Sequence, residues 1–209
     1  VREDPKSRNY CMMALNLSYK SFNEIMAIVN HERKWKNSVA DSDTFRFYHI
    51  SLYYMMVMEI CKLMEVNFTR DNNNFASLKR LNSQVFEIFG DCYKLTYQTV
   101  DQELEELRES SIFIKLRNYR DKEFAHSDAD QNNGPFHFMG LNKSELSDCG
   151  ELIKRIEGVL NKCLSPYEFS FIIPQISKTK NFLAFHDEYK FFSHRDHKEF
   201  LNWKLNTKP

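Results

Sequence analysis

The chain has 209 residues, with 29 Lys+Arg set against 29 Asp+Glu for a formal net charge of zero, and only five Gly and five Pro. That length suits one domain with a sizeable core, and sparse Gly and Pro beside abundant Lys, Glu, Asp and Asn favour long helices over many short strands. Zero net charge excludes a globally basic, histone-like mode of nucleic-acid binding, so any RNA contact must be focal.

Cys11, Leu15, Tyr19, Phe22, Met26 and Val29 recur at three- and four-residue spacing and predict a first helix over about 7–36. Its far end, His31-Glu32-Arg33-Lys34-Trp35-Lys36, interleaves base and aromatic. Such a pattern either stacks and holds a nucleotide strand or anchors a solvated helix end through Trp35. Asp41-Ser42-Asp43 offers cap residues, and 44–66 is apolar almost all round, so it is expected to be the most buried helix. Arg46, Glu59 and Lys62 argue against a membrane span, and the longest apolar run, Leu52 to Met58, falls far short of the roughly 20 residues one needs. The Met and Tyr residues here come with no ligand residue or glycine loop, so they read as core, with no cofactor.

Thr69-Arg70-Asp71-Asn72-Asn73-Asn74 is a loop, because short polar side chains compete for the local backbone. Leu78, Leu81, Val85, Ile88 and Cys92 then predict a third helix over about 75–94. Thr99 with Gln102 makes a capping box for a fourth, whose inward stripe is Val100, Leu104, Leu107 and Ile114. Drawn as one straight helix, Phe113, Arg117, Arg120 and Phe124 fall together about 60 to 120° from Ile114. Phe113 and Phe124 are thus expected to receive a second subunit.

Gln131-Asn132-Asn133-Gly134-Pro135 breaks the run, after which Asn142 and Glu145 cap reciprocally between Leu141 and Leu146. Leu146, Cys149, Ile153, Ile156, Leu160 and Cys163 carry a fifth helix to about residue 164. The expected architecture is all-α: an up-and-down bundle of about five helices over 1–165, followed by a C-terminal extension over 166–209. In that extension Tyr167, Phe169, Phe171 and Ile173 alternate as a short extended segment, and 175–209 holds seven Lys+Arg against four Asp+Glu. Its aromatic density points to packing on the bundle or a partner subunit, with RNA contact as the alternative. The five cysteines are odd in number, far apart and mostly on apolar stripes, so they read as reduced thiols of a cytoplasmic protein.

Chemistry gathers in one stretch, Leu116-Arg117-Asn118-Tyr119-Arg120-Asp121-Lys122-Glu123-Phe124-Ala125-His126-Ser127-Asp128. Arg120 is charged at any relevant pH and grips phosphate oxygens with a planar fork, while the His126 imidazole takes and gives protons near neutrality. That pair suits phosphodiester cleavage. Six residues at 100° each leave the two side chains about 120° short of facing the same way on a straight helix. Either the helix ends before His126 and the chain turns the ring back, or the two meet across a symmetric subunit interface. The bland reading is a surface ion pair for Arg120 and a histidine that bonds the last carbonyls of its helix. Asp121 either orients the ring or the partner's arginine or is a surface carboxylate near Lys122; Asn118 suits a phosphate contact, and Arg117 and Lys122 add charge. Glu123 to His126 has the Glu-x-x-His spacing of di-iron bundles, but no second copy exists in the chain, and His194 with His197 is too few ligands, so no metal is expected.

Arg120, the adjacent Asp121, and His126 after five intervening residues resemble the Arg-(four to six)-His signature of HEPN domains, and 116–128 is similar in wording to the abortive-infection, AbiU-like branch. The resemblance covers about 7–165. It implies an all-α homodimer whose two motifs form one cleft that cuts RNA without metal or cofactor. The catalytic residues would be Arg120, His126 and Asp121, with Asn118, Arg117 and Lys122 at the substrate. Phage defence or toxin-antitoxin biology follows from the same resemblance, with an antitoxin protein as a further partner. Members that have lost activity serve as binding modules.

Overall fold

The computed structural model describes residues 5–31, 42–66, 76–124, 140–172 and 179–183, and among them there is no strand. Helix α1 (Pro5–Val29) packs along α2 (Asp43–Leu63). Beside its predicted apolar stripe, α1 buries a row of small residues, Ser7, Ala14, Ser18 and Ser21. Small side chains let helices approach closely. The Ser18 hydroxyl is satisfied on its own helix by donating to the Ala14 carbonyl at 2.9 Å, so it enters the core without an orphaned group.

Ser42 caps α2 by accepting from the Phe45 amide at 3.2 Å. The inner face buries Leu52, Tyr53, Met56, Val57, Ile60 and Cys61. It is not buried all round, as its composition led us to expect: Phe47 is 72% exposed, and Tyr48, Tyr54 and Met55 are exposed too. The reason is placement, since α2 packs chiefly on α1, with one short helix and one turn beside it.

Helix α3 (Leu78–Phe89) is capped by Ser77 and stopped by Gly90, whose φ of 56° is a conformation open to glycine. After a 3-10 turn at Gly90–Cys92 comes α4 (Lys94–Glu109). The predicted capping box at Thr99 is not used. Thr99 lies inside α4, and its hydroxyl donates to the Leu95 carbonyl at 3.0 Å. Nor does the fourth helix run straight into the motif. At Ser110 the backbone swings to ψ 138°, ending α4 and capping α5 (Ser111–Asn118). This break resets the helical phase, so Ile114 is 38% exposed, whereas Phe113, the expected subunit contact, is buried at 4%.

Helix α6 (Lys143–Leu164) touches α1, α3, α4 and α5 and buries nine residues from Leu146 to Leu164. Its capping box is formed as predicted: Asn142 Oδ1 accepts from the Glu145 amide at 3.0 Å, and Glu145 Oε2 accepts from the Asn142 amide at 2.9 Å. At Gly150 a Cβ would lie 2.8 Å from the Phe22 ring, so glycine is what lets α1 sit this close. The expected extended segment begins instead as a 3-10 turn at Ser165–Tyr167, with Glu168 left-handed at φ 54°. Beyond it, Asn161 holds Phe171 by both backbone groups, at 2.7 and 3.3 Å. Cys11, Cys61, Cys149 and Cys163 are buried and Cys92 is exposed, all as free thiols. No helix among the described residues is long and apolar enough to cross a membrane.

Candidate active site

The motif is delivered by α5 and is anchored from below. Ser110 Oγ accepts from the Phe113 amide at 3.4 Å, and Ile112, Phe113 and Leu116 are buried, each contributing about 1.5 to 3 kcal/mol. Past Asn118 the winding changes: Tyr119–Phe124 is a π turn. Such turns are rare, widen the helix by an i to i+5 pattern, and occur frequently at functional sites. A projection that treats 99–124 as one straight α-helix therefore fails twice, at Ser110 and again at Tyr119.

Two neighbouring side chains of the π turn face different anchors. The Tyr119 hydroxyl reaches the Gly140 carbonyl at a long 3.4 Å, and Lys115 Nζ lies 5.7 Å from the Tyr119 ring centroid while pairing with Glu145. Tyr119 is thus tied to the start of α6. Arg120 goes to the end of α2: its Nε donates to Asp121 Oδ1 at 2.7 Å, and its Nη1 lies 3.8 Å from Glu65 Oε2. The first contact is a charge-assisted hydrogen bond and the second an ion pair without one. Only 26% of the Arg120 side chain is exposed. Asp121 is the main cause of a guanidinium pKa above even its high ordinary value, so its charge is permanent.

Glu65 is fixed in its turn. Ser77 Oγ donates to the Glu65 carbonyl at 2.6 Å, and Arg108 Nε donates to the neighbouring Met64 carbonyl at 2.9 Å. Beneath the ion pair, burial pushes the Cys61 thiol up to about 12, with Arg120 pulling the other way. That thiol stays protonated and is no nucleophile.

Arg120 and Asp121 are therefore brought together, while Arg117 and Asn118 are exposed on α5. His126 and the side chain of Lys122 lie outside the described residues, as do Glu123's side chain, Phe124's side chain, Trp35, His194 and His197. The residue missed by sequence reasoning is Glu65. Only the end of an apolar helix marked its neighbourhood, and nothing in the local pattern tied it to Arg120. A guanidinium has five N–H donors, and the Asp121 bond takes one, so the fork can still receive an anion. Among the described residues no group of three or more His, Cys, Asp or Glu is arranged to hold a metal.

A model of the HEPN_AbiU2 family, described as AbiU2, matches residues 4–200. The chain belongs to the HEPN_AbiU2 family. The all-α fold agrees with that membership, and the match extends past residue 165, where the resemblance was expected to stop, so most of the C-terminal extension falls within it. No match was found among curated proteins or among solved structures.

Proposed function

We propose that this HEPN protein is a metal-independent endoribonuclease of bacterial phage-defence or toxin-antitoxin type, a cytoplasmic homodimer whose two motifs share one RNA-binding cleft. The observation that carries the reading is Arg120, a permanently charged fork set at a π turn and pinned between Asp121 and Glu65. In the proposed reaction His126 of one copy takes the proton of an RNA 2′-hydroxyl, the 2′-oxygen attacks the adjacent phosphorus, and the bond to the 5′-oxygen breaks. The second copy's His126 gives a proton to the departing oxygen, leaving a 2′,3′-cyclic phosphate and a 5′-hydroxyl. Arg120 holds the charge that builds on the phosphoryl oxygens, Asp121 orients it, and Arg117, Asn118 and Lys122 contact the strand. DNA lacks the attacking hydroxyl and is not a substrate. An antitoxin protein would act by covering the cleft.

A second reading has an observation of its own. Two carboxylates on one guanidinium leave this locus without surplus positive charge among the described residues. That balance favours a non-catalytic dimer that binds a nucleotide or a protein. Incubating purified protein with total RNA, with and without EDTA, separates the two. The ribonuclease reading expects chelator-insensitive cleavage that drops about 100-fold or more in His126→Ala with unchanged circular dichroism. Cleavage that survives the replacement removes His126 from the mechanism; RNA bound but left intact by the wild type supports the binding module.

A further inference from the structure

Arg120 and Asp121 are consecutive residues of one π turn, so the hydrogen bond between their side chains fixes the guanidinium only relative to that turn. Left at that, the two side chains move as a unit whenever the turn moves. Glu65 supplies the missing reference. It stands just past the end of α2, and among the described residues it is the carboxylate from another element that the guanidinium meets, with Oε2 3.8 Å from Nη1.

Glu65 itself has a firm footing. Helix α2 ends at Leu63 with Met64 as its cap, and the carbonyls of Met64 and Glu65 are both occupied, the first accepting from Arg108 Nε at 2.9 Å and the second from Ser77 Oγ at 2.6 Å. Ser77 is wholly buried, and its oxygen also accepts from the Arg80 amide at 3.4 Å, so one hydroxyl joins the backbone at Glu65 to the start of α3. Arg108 comes from the last turn of α4, with 16% of its side chain exposed, and its charge suits the negative end of α2. Three helices thus converge on the backbone that carries Glu65. An ion pair at 3.8 Å, with its side chains 26 and 30% exposed, contributes little to stability, so what it offers is orientation.

We propose that Glu65 is a positioning residue for Arg120: it holds the Nη1 side of the fork to the end of α2 while Asp121 holds Nε, leaving the remaining N–H donors for a phosphate. Its part in cleavage rests on the ribonuclease reading; the placement of the guanidinium does not. Donors set in advance are effective because they need no ordering as charge develops, and a misplacement of about 1 Å can cost about 100-fold in rate. The contrary role, a carboxylate that competes with phosphate for the fork, gives the opposite sign when the carboxylate is removed.

The test is Glu65→Gln in the full chain, which keeps the side chain's size and removes its charge. The first readout needs no substrate: arginines are modified with phenylglyoxal and mapped by peptide mass. Arg120 should react several-fold faster than in the parent, while Arg46, 71% exposed on α2, keeps its rate. The second is single-turnover cleavage of a short RNA. The rate at saturating RNA should fall about 10-fold, with the half-saturating concentration and the melting temperature nearly unchanged. Glu65→Asp, charged but one methylene short, should resemble Glu65→Gln in both readouts; a parent-like result counts against the proposal, because charge without reach would then suffice. An unchanged Arg120 modification rate in Glu65→Gln overturns it. So does a lower half-saturating concentration with no loss of rate, the mark of a competing carboxylate. If the parent cuts no RNA, the ribonuclease reading fails, and the phenylglyoxal comparison alone decides for or against the placement of Arg120.

Discussion

Two polar clusters of this molecule use similar side chains to different ends. Between α3 and α4, Asn82 is fully buried: its Oδ1 accepts from the Tyr93 hydroxyl at 2.8 Å, and its Nδ2 donates to the Tyr97 carbonyl at 3.1 Å and to Asp101 Oδ1 at 3.2 Å. Lys79 closes the cluster on Asp101. At the motif, Arg120 has one short bond to Asp121 and a looser 3.8 Å approach to Glu65, and it keeps part of its surface in water. A buried network that is complete can only hold elements together, because adding a ligand would orphan a group. A partly exposed arginine with donors to spare has room to take up an anion.

Replacing one residue in each cluster should therefore separate activity from stability. In Arg120→Ala, RNA cleavage should fall about 100- to 1000-fold, equivalent to about 2.7 to 4 kcal/mol of transition-state stabilisation, with the melting temperature nearly unchanged. Arg120→Lys should recover little, because an ammonium lacks the fork. The mirror image is Asn82→Leu, which strands the Tyr93 hydroxyl and loosens Asp101. It should cost about 2 to 4 kcal/mol and lower the melting temperature by roughly 6 to 12 °C, while cleavage per folded molecule stays the same. Calorimetry and a cleavage assay on both variants decide the matter. If Arg120→Ala melts as early as Asn82→Leu, the motif is a structural clasp and the comparison collapses.

A smaller change probes the same network more gently. Tyr93→Phe removes one hydroxyl and leaves the ring in place, so the loss should be about 1 kcal/mol. No measurable loss would mean that the ring's packing, rather than the hydrogen bond, carries the Tyr93 side of the cluster.

The helices were legible because their signals are local. Ser42 and Asn142 sit at the caps, and the stripes of α1 and α6 repeat at the spacing that burial demands. Phe113 was misread because a single extended residue, Ser110, rotated the phase of all that follows, and serine at a break looks like serine on a helix surface. The exposure of α2 escaped for a different reason. Composition reports how apolar a helix is but not how many neighbours it has. The contact between Arg120 and Asp121 could be read from sequence because they are adjacent, whereas Glu65 could not, because it reaches Arg120 only through the packing of α2 against the π turn.

The smallest effect concerns pH and belongs to neither cluster, which makes it a control on both. His49 on α2 lies 5.1 Å from the Tyr53 ring centroid, and its buried Nε2 has no hydrogen-bond partner among the described residues. Burial lowers its pKa from the ordinary value near 6.5. The unfolded chain then binds the proton more readily than the folded one, so this contribution to stability is complete above about pH 6.5 and is lost as pH falls from there through the lower folded value. Melting at pH 7.5 and pH 5.5 should differ by a few degrees more in the wild type than in His49→Phe, which has nothing to protonate. The same pH step should leave the Asn82→Leu deficit unaltered, since that cluster contains no histidine. A wild type whose melting temperature holds constant over that range, or a His49→Phe variant that retains the full pH dependence, would place the proton uptake elsewhere.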